Sequence, residues 1–216
     1  MSKNKISDIR QEYELGELLE RNLLPTPLEQ FSAWFDEALA HQVMEPNAMV
    51  LSTLSETQQV SSRVVLLKGI ESEGFVFYTN YDSRKAQELS NNPRASLLFF
   101  WPELQRQVRI EGAVRKVEAA KSDAYFNSRP YGSRLGAWAS PQSQEVPDRT
   151  FIEQRLVEMQ ERFEDEQALH RPEFWGGFIL QPERVEFWQG RKSRLHDRLV
   201  YVNKGEGAWA IKRLAP

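Results

Sequence analysis

Short apolar stretches with a two-residue period recur along most of this chain, and tight turns separate them. Residues 48–54, 60–70, 75–80, 95–101 and 106–118 show the pattern, and 176–181, 184–189, 195–203 and 208–214 repeat it near the end. Such alternation marks strands with one buried face. Strand–helix–strand alternation is missing, which excludes a doubly wound parallel sheet. About seven or eight strands in meander order predict a mainly β chain with peripheral helices, as an antiparallel barrel or strongly curled sheet.

Helices interrupt the strands. Thr26-Pro27 opens the first, with Leu28, Phe31, Trp34, Phe35, Ala38 and Leu39 in one apolar stripe that ends before Pro46. Ser83 is placed to cap a second, which ends near Asn91-Asn-Pro93. Residues 119–128 form a third, stopped by Pro130, and Tyr131-Gly-Ser-Arg134 reads as a polar turn. Asp148 caps a long helix to about Asp165, with Phe151, Ile152, Leu156, Met159 and Phe163 inward. Residues 1–24 are highly charged and read as an arm, with Arg10 and Tyr13 on one face if helical. Residues 25–216 contain no linker or repeat that would divide them.

Composition removes several classes of chemistry. There is no cysteine, so thiol nucleophiles, thiolate ligands and disulfides are excluded. His41, His170 and His196 show no metal-ligand spacing. A net charge of -3 gives no electrostatic footprint for nucleic acid. No apolar run reaches membrane-spanning length, and the opening residues lack the apolar core of a signal peptide, so a cytoplasmic protein is expected.

Three groups of cations stand out. Arg84 and Lys85 sit in the first turn of a helix, where they oppose its dipole unless an anion occupies that end. Tyr125 and Arg129 share a helix face, and Ser133 follows, a second candidate anion cradle. In Val185-Glu-Phe-Trp-Gln-Gly190 and the stretch to Arg198, Arg194, His196 and Arg198 alternate, with Leu195 and Leu199 opposite. An extended chain would project that trio to one side with nothing acidic between, inviting an anion or an electron-rich ring. Solvated surface cations are the alternative reading of the first and third groups. Arg63 and Lys68 are five apart, so an ideal strand would place them on opposite faces.

Several segments resemble pyridoxine/pyridoxamine 5′-phosphate oxidases: Arg63-Val-Val-Leu-Leu-Lys68, Phe77-Tyr-Thr-Asn80 with Ser83-Arg-Lys85, Tyr125-Phe-Asn-Ser-Arg-Pro130, Gly136-Ala-Trp138 with Gln142-Ser143, Phe174-Trp-Gly-Gly177, and Glu186-Phe-Trp-Gln-Gly190 with Arg194-Leu-His-Asp-Arg198. The resemblance runs from about Ile9 to Pro216. It implies a split antiparallel β-barrel that forms a homodimer and binds FMN between subunits. It implies oxidation of pyridoxine or pyridoxamine 5′-phosphate to pyridoxal 5′-phosphate, with O2 as electron acceptor. Arg63, Val64, Val65, Leu66, Lys68, Tyr78, Thr79, Arg84, Lys85, Gln107, Gln142, Ser143, Trp188 and Arg198 would line the FMN site. Lys68, Tyr125, Arg129 and Ser133 would meet the substrate phosphate, Arg194 and His196 its ring, and Arg10 and Tyr13 would close over it. A flavin or pyridoxal-phosphate carrier without turnover, a nicotinamide-dependent flavin reductase and a nucleic-acid-binding barrel are the competing classes. The intact Arg194-Leu-His196 and Tyr125/Arg129/Ser133 sets favour the oxidase.

Overall fold

A computed structural model describes residues 6–8 and 12–216. Nine strands form one sheet. They are β1 (Ala48–Leu54), β2 (Val60–Leu66), β3 (Gly69–Glu71), β4 (Gly74–Asn80), β5 (Arg94–Trp101), β6 (Arg106–Lys116), β7 (Trp175–Gln189), β8 (Asp197–Asn203) and β9 (Trp209–Arg213). The path runs β2-β1-β5-β6-β7-β4-β3, with β8 on β7 and β9 on β8. The helices are α1 (Pro27–Ala40), α2 (Arg84–Asn91), α3 (Ala119–Ser128), α4 (Tyr131–Ala139) and α5 (Arg149–Arg162). Two compact units share these elements: Met1–Met49 with Leu97–Ile110 and Glu183–Pro216, and Val50–Ser96 with Glu111–Pro182.

In the first unit, α1 starts as its sequence dictates. Thr26 accepts from the Glu29 N–H, and the Glu29 side chain accepts from the Thr26 N–H, a capping box with Pro27 at the first helical position. The helix lays Phe31 and Trp34 into an aromatic core, with Phe31 4.8 Å from Phe99 and Trp34 5.1 Å from Phe187 between ring centroids. Leu39, expected in the buried stripe, is instead exposed, because the stripe turns away from the core in the last turn. The arm is not a continuous helix. Short 3-10 turns at Ile6–Asp8 and Glu20–Asn22 are its regular structure among the described residues. Polar contacts tie it down: Leu18 N–H donates to Asp197, and Arg213 donates to Glu20 and to the Leu18 carbonyl.

In the second unit, Phe126, Leu135, Phe163, Leu169 and Trp175 form a core against which Leu156 and Met159 of α5 pack. Asp148 caps α5 by accepting from the Phe151 N–H. The expected strand over 60–70 is two strands. Leu67 turns inward at the break, and the Lys68 N–H donates to the Val76 carbonyl. β2 and β3 stand at opposite ends of the sheet path, so the topology is not a plain meander. Ideal-strand facing therefore does not relate Arg63 to Lys68.

Three further expectations change. Residues 176–181 and 184–189 are one strand, β7. Its pairing with β4 ends at Leu180 and its pairing with β8 begins at Arg184, so the missing N–H of Pro182 falls where the ladder changes partner. A Cβ at Gly112 would come 2.0 Å from the Gln181 carbonyl oxygen, a close approach that only glycine allows. Tyr131-Gly-Ser-Arg134 opens α4 rather than forming a turn, because proline ends one helix and suits the start of the next. Finally, residues 195–196 precede β8. Ser193 and Arg194 have φ of 53° and 60°, so the chain there is a left-handed turn.

Phe31→Ala should cost about 3–5 kcal/mol, as expected for a large buried aromatic ring. Urea unfolding followed by near-ultraviolet circular dichroism checks this; a loss below about 1 kcal/mol would contradict the core assignment.

Candidate functional site

The second unit builds a candidate anion site where β4 meets α2. Ser83 precedes the helix, but its hydroxyl donates to the Asn80 carbonyl, and no side chain caps α2. The first-turn N–H groups are left without a side-chain acceptor. Lys85 Nζ donates to Gln142 Oε1 at 2.8 Å, Thr79 Oγ1 at 3.2 Å and Ser83 Oγ at 3.3 Å, all neutral groups. Among the described residues it forms no ion pair. Burial, then the nearby Arg63 charge, lowers its pKa to about 8, against a smaller opposing pull from Glu88.

Arg63, on β2, donates through Nη1 to the Leu51 carbonyl at 3.1 Å and to Thr53, and through Nη2 to Ser61 and to Glu88 at 3.3 Å. Glu88 is 6% exposed and also accepts from Thr53, Ser61 and Arg84 Nε. Burial alone would raise its pKa. The hydrogen bonds from Thr53, Ser61 and Arg84, with the Arg63 charge, hold it at about 2 instead.

A second cation lies close by. The residue before Pro130 is held extended, and that swings Arg129 off the end of α3. Its guanidinium lies 4.7 Å from the Trp175 ring centroid, in a stack where Tyr78 and Tyr125 are 3.9 Å apart. Burial lowers its pKa, and its Nη1 is buried with no hydrogen-bond partner. Arg129 opens on a cavity of about 300 Å³ lined also by Asn80, Ser133, Gly136, Ser140, Gln142 and Trp175. Gln142 thus belongs to both cradles. Donors without acidic partners suit phosphate-like anions.

The first unit carries an aromatic and imidazole group. Trp188 and His196 have ring centroids 4.6 Å apart, and Tyr13 stands 5.8 Å from each. His196 Nδ1 accepts the Arg191 N–H at 3.1 Å, which puts the proton of the neutral ring on Nε2. Burial, then the Arg194 charge, lowers the His196 pKa. Arg194 itself is exposed in the left-handed turn. Leu195, expected on the face opposite the cations, is 69% exposed. Arg198 is not a free cation beside them. Its Nε donates to the buried Glu186 at 2.8 Å, and Arg109 donates to the same carboxylate at 2.9 Å. The reading of that face as free of acid is corrected accordingly.

The structure therefore brings Arg63, Arg84, Lys85, Thr79 and Gln142 together, and likewise Tyr78, Tyr125, Arg129 and Ser133, and likewise Tyr13, Trp188, His196 and Arg194. Val64 and Leu66 expose their side chains on β2, Val65 is half-buried, and Lys68 is exposed at the strand break. Gln107 is half-buried on β6, and Ser143 is exposed with φ of 70°. Arg10 lies outside the described residues. Sequence reasoning missed Glu88, Ser61, Thr53 and Asn80. An acid in the middle of a polar helix carries no signal of burial, and the small hydroxyl residues lie on other strands.

Residues 35–163 match the family described as Pyridoxamine 5′-phosphate oxidase, and residues 175–216 match the Pyridoxine 5′-phosphate oxidase C-terminal dimerisation region. The pyridoxine/pyridoxamine 5′-phosphate oxidase of Bordetella petrii is 57% identical over 98% of this chain and 99% of its own length. The pyridoxine/pyridoxamine 5′-phosphate oxidase 1 of Ralstonia nicotianae is 56% identical over the same shares. Among solved structures, PhzG from Burkholderia lata, in complex with tetrahydrophenazine-1-carboxylic acid, superposes with a TM-score of 0.86 at 31% identity, over 92% of this chain and 98% of that one. A pyridoxamine 5′-phosphate oxidase-related, FMN-binding protein from Nostoc punctiforme has the same fold, with a TM-score of 0.71 at 16% identity, over 90% and 100%.

Lys85 generates a pH dependence. Its folded pKa, about 8, lies below the unfolded value, so burial of the ammonium destabilises the ligand-free fold below pH 8. Stability is regained as pH rises from 8 toward the ordinary lysine range, where only the unfolded chain keeps the proton. A bound anion favours the charged form, so sulfate affinity should fall as pH rises through 8. Calorimetric titration at pH 7 and 9 should show that fall in the wild type and lose it in Lys85→Met. An equal fall in both would remove Lys85 from the site.

Proposed function

The chain belongs to the pyridoxamine 5′-phosphate oxidase family, and on that premise we propose that it oxidises pyridoxine 5′-phosphate and pyridoxamine 5′-phosphate to pyridoxal 5′-phosphate as an FMN-dependent homodimer. The observation that carries this reading is a pair of half-buried cations, Lys85 and Arg129, on either side of Gln142, that form no ion pair among the described residues. A phosphorylated cofactor and a phosphorylated substrate account for both.

The donor set suits FMN. Arg63, Arg84 and Lys85, with Thr79 and the uncapped start of α2, would hold its phosphate. Val64, Val65, Leu66, Lys68, Tyr78, Gln107, Gln142, Ser143, Trp188 and Arg198 would line the rest of its site. When bound, FMN would supply the redox chemistry as acceptor of a hydride from substrate C4′, with the alcohol or amine proton going to solvent, water releasing ammonia from the oxidised amine, and O2 as the final acceptor giving H2O2. The chain binds and orients. Arg129, with Lys68, Tyr125 and Ser133, receives the substrate phosphate. Arg194 holds the pyridine ring in place, and His196, neutral near pH 7, offers the Nε2 proton as a hydrogen bond to it. Arg10 and Tyr13 would close over the ring. Among the described residues, no helix is long and apolar enough to cross a membrane, and no side-chain cluster could hold a metal ion.

The direct test is to purify the protein, record its flavin absorbance and measure oxygen uptake with pyridoxine 5′-phosphate. A colourless protein that takes up no oxygen after FMN is added would overturn the reading. Arg129→Leu should raise KM roughly 10–100-fold, the loss of a charge-assisted phosphate contact. An unchanged KM would remove Arg129 from the phosphate site. His196→Asn should raise KM more than it lowers kcat, whereas Arg194→Leu should damage both. A collapse of kcat in His196→Asn at constant KM would mean that His196 moves a proton.

A further inference from the structure

We propose that Glu88 is a positioning residue for the cofactor phosphate, acting by fixing Arg63 and Arg84 in the orientation that receives it; the proposal rests on the FMN reading above. Glu88 is 6% exposed, yet it carries a full charge in a protein interior. Such a charge persists only where donors surround it. Its two oxygens have separate tasks. Oε1 accepts from Arg84 Nε at 2.9 Å, and Oε2 accepts from Arg63 Nη2 at 3.3 Å. Thr53 and Ser61 donate to the same carboxylate and accept from Arg63, so the guanidinium is gripped through its hydroxyl neighbours as well.

The consequence is orientation. Glu88 engages Arg84 only through Nε, and the terminal nitrogens of that exposed guanidinium form no hydrogen bond among the described residues. One carboxylate thus ties Arg84 to Arg63, which the Leu51 carbonyl, Thr53 and Ser61 also hold, before any ligand arrives. Charge is balanced too. Arg63, Arg84 and Lys85 supply three positive charges, Glu88 removes one, and the remainder suits a phosphate dianion. The carboxylate also repels that dianion. Ordering Arg84 beside the anchored Arg63 outweighs the repulsion because the charge is screened by the guanidiniums it holds, whereas a free arginine would have to be immobilised on binding.

Flavin fluorescence titration of the flavin-stripped full-length chain tests this, comparing FMN with riboflavin, which lacks the phosphate. The wild type should prefer FMN. Glu88→Ala should cut the FMN-to-riboflavin affinity ratio about tenfold while leaving riboflavin affinity in place, the cost of ordering Arg84 afresh beside a loosened Arg63. A ratio within about twofold of wild type, or a higher one, would overturn the proposal. Should Glu88→Ala fail to fold, Glu88→Gln decides. Its amide keeps the packing but offers one acceptor atom in place of two, so the ratio should fall at least about threefold, and an unchanged or raised ratio overturns the proposal. Lys85→Ala separates the two readings. A wild type with no preference for FMN, or a Lys85→Ala chain that keeps it, overturns the cofactor reading itself and this proposal with it.

Discussion

Positive charge held partly out of water with no ion-pair contact among the described residues is the constraint from which the rest follows. Lys85 rests on three neutral oxygens, and Arg129 rests on the face of Trp175 with one nitrogen unbonded. Either arrangement costs free energy in an unliganded chain, since a buried charge is tolerated only when compensated. Elsewhere the fold pairs cations with acids: Arg109 and Arg198 share Glu186, and Arg213 holds Glu20 and Asp197. Leaving only particular cations uncompensated is what marks a ligand site rather than a solvated surface.

Local backbone rules set those cations in place. The extended residue before Pro130 sends Arg129 away from α3, and the same proline starts α4, which brings Ser133 to the cavity wall. The hydroxyl of Ser83 is spent on the Asn80 carbonyl, so α2 begins uncapped beside Lys85. The stack of Tyr78, Tyr125 and Trp175 gives Arg129 a rigid floor. In the first unit the Arg191 N–H fixes the tautomer of His196, and Trp188 and Tyr13 fix its plane. Orientation is what such a site contributes when a cofactor carries the redox step.

Much of this was legible in the sequence, for local reasons. Thr26-Pro27 with Glu29 specifies the start of α1, and period-two alternation locates β1, β4, β5 and β6. What failed was longer-ranged. Alternation cannot report which strand pairs with which, so the break at Leu67 and the placement of β2 and β3 at opposite ends of the path were invisible. Pro130 was read only as a stop, although proline also suits a helix start. Arg194, His196 and Arg198 have strand spacing, but the left-handed turn at Ser193 and Arg194 ends the comparison, and Glu186 claims Arg198 across the ladder. Glu88 shows the general limit: its burial is made by Thr53, Ser61 and Arg63, distant in sequence, and no local pattern announces that.

The most direct measurement compares equilibrium binding of pyridoxine 5′-phosphate and of pyridoxine to the FMN-loaded protein under anaerobic conditions. If Arg129 awaits a phosphate, removing that group from the ligand should weaken binding by about a hundredfold, two or more charge-assisted hydrogen bonds being lost. Equal affinities for the two ligands would mean that the uncompensated guanidinium serves some other purpose.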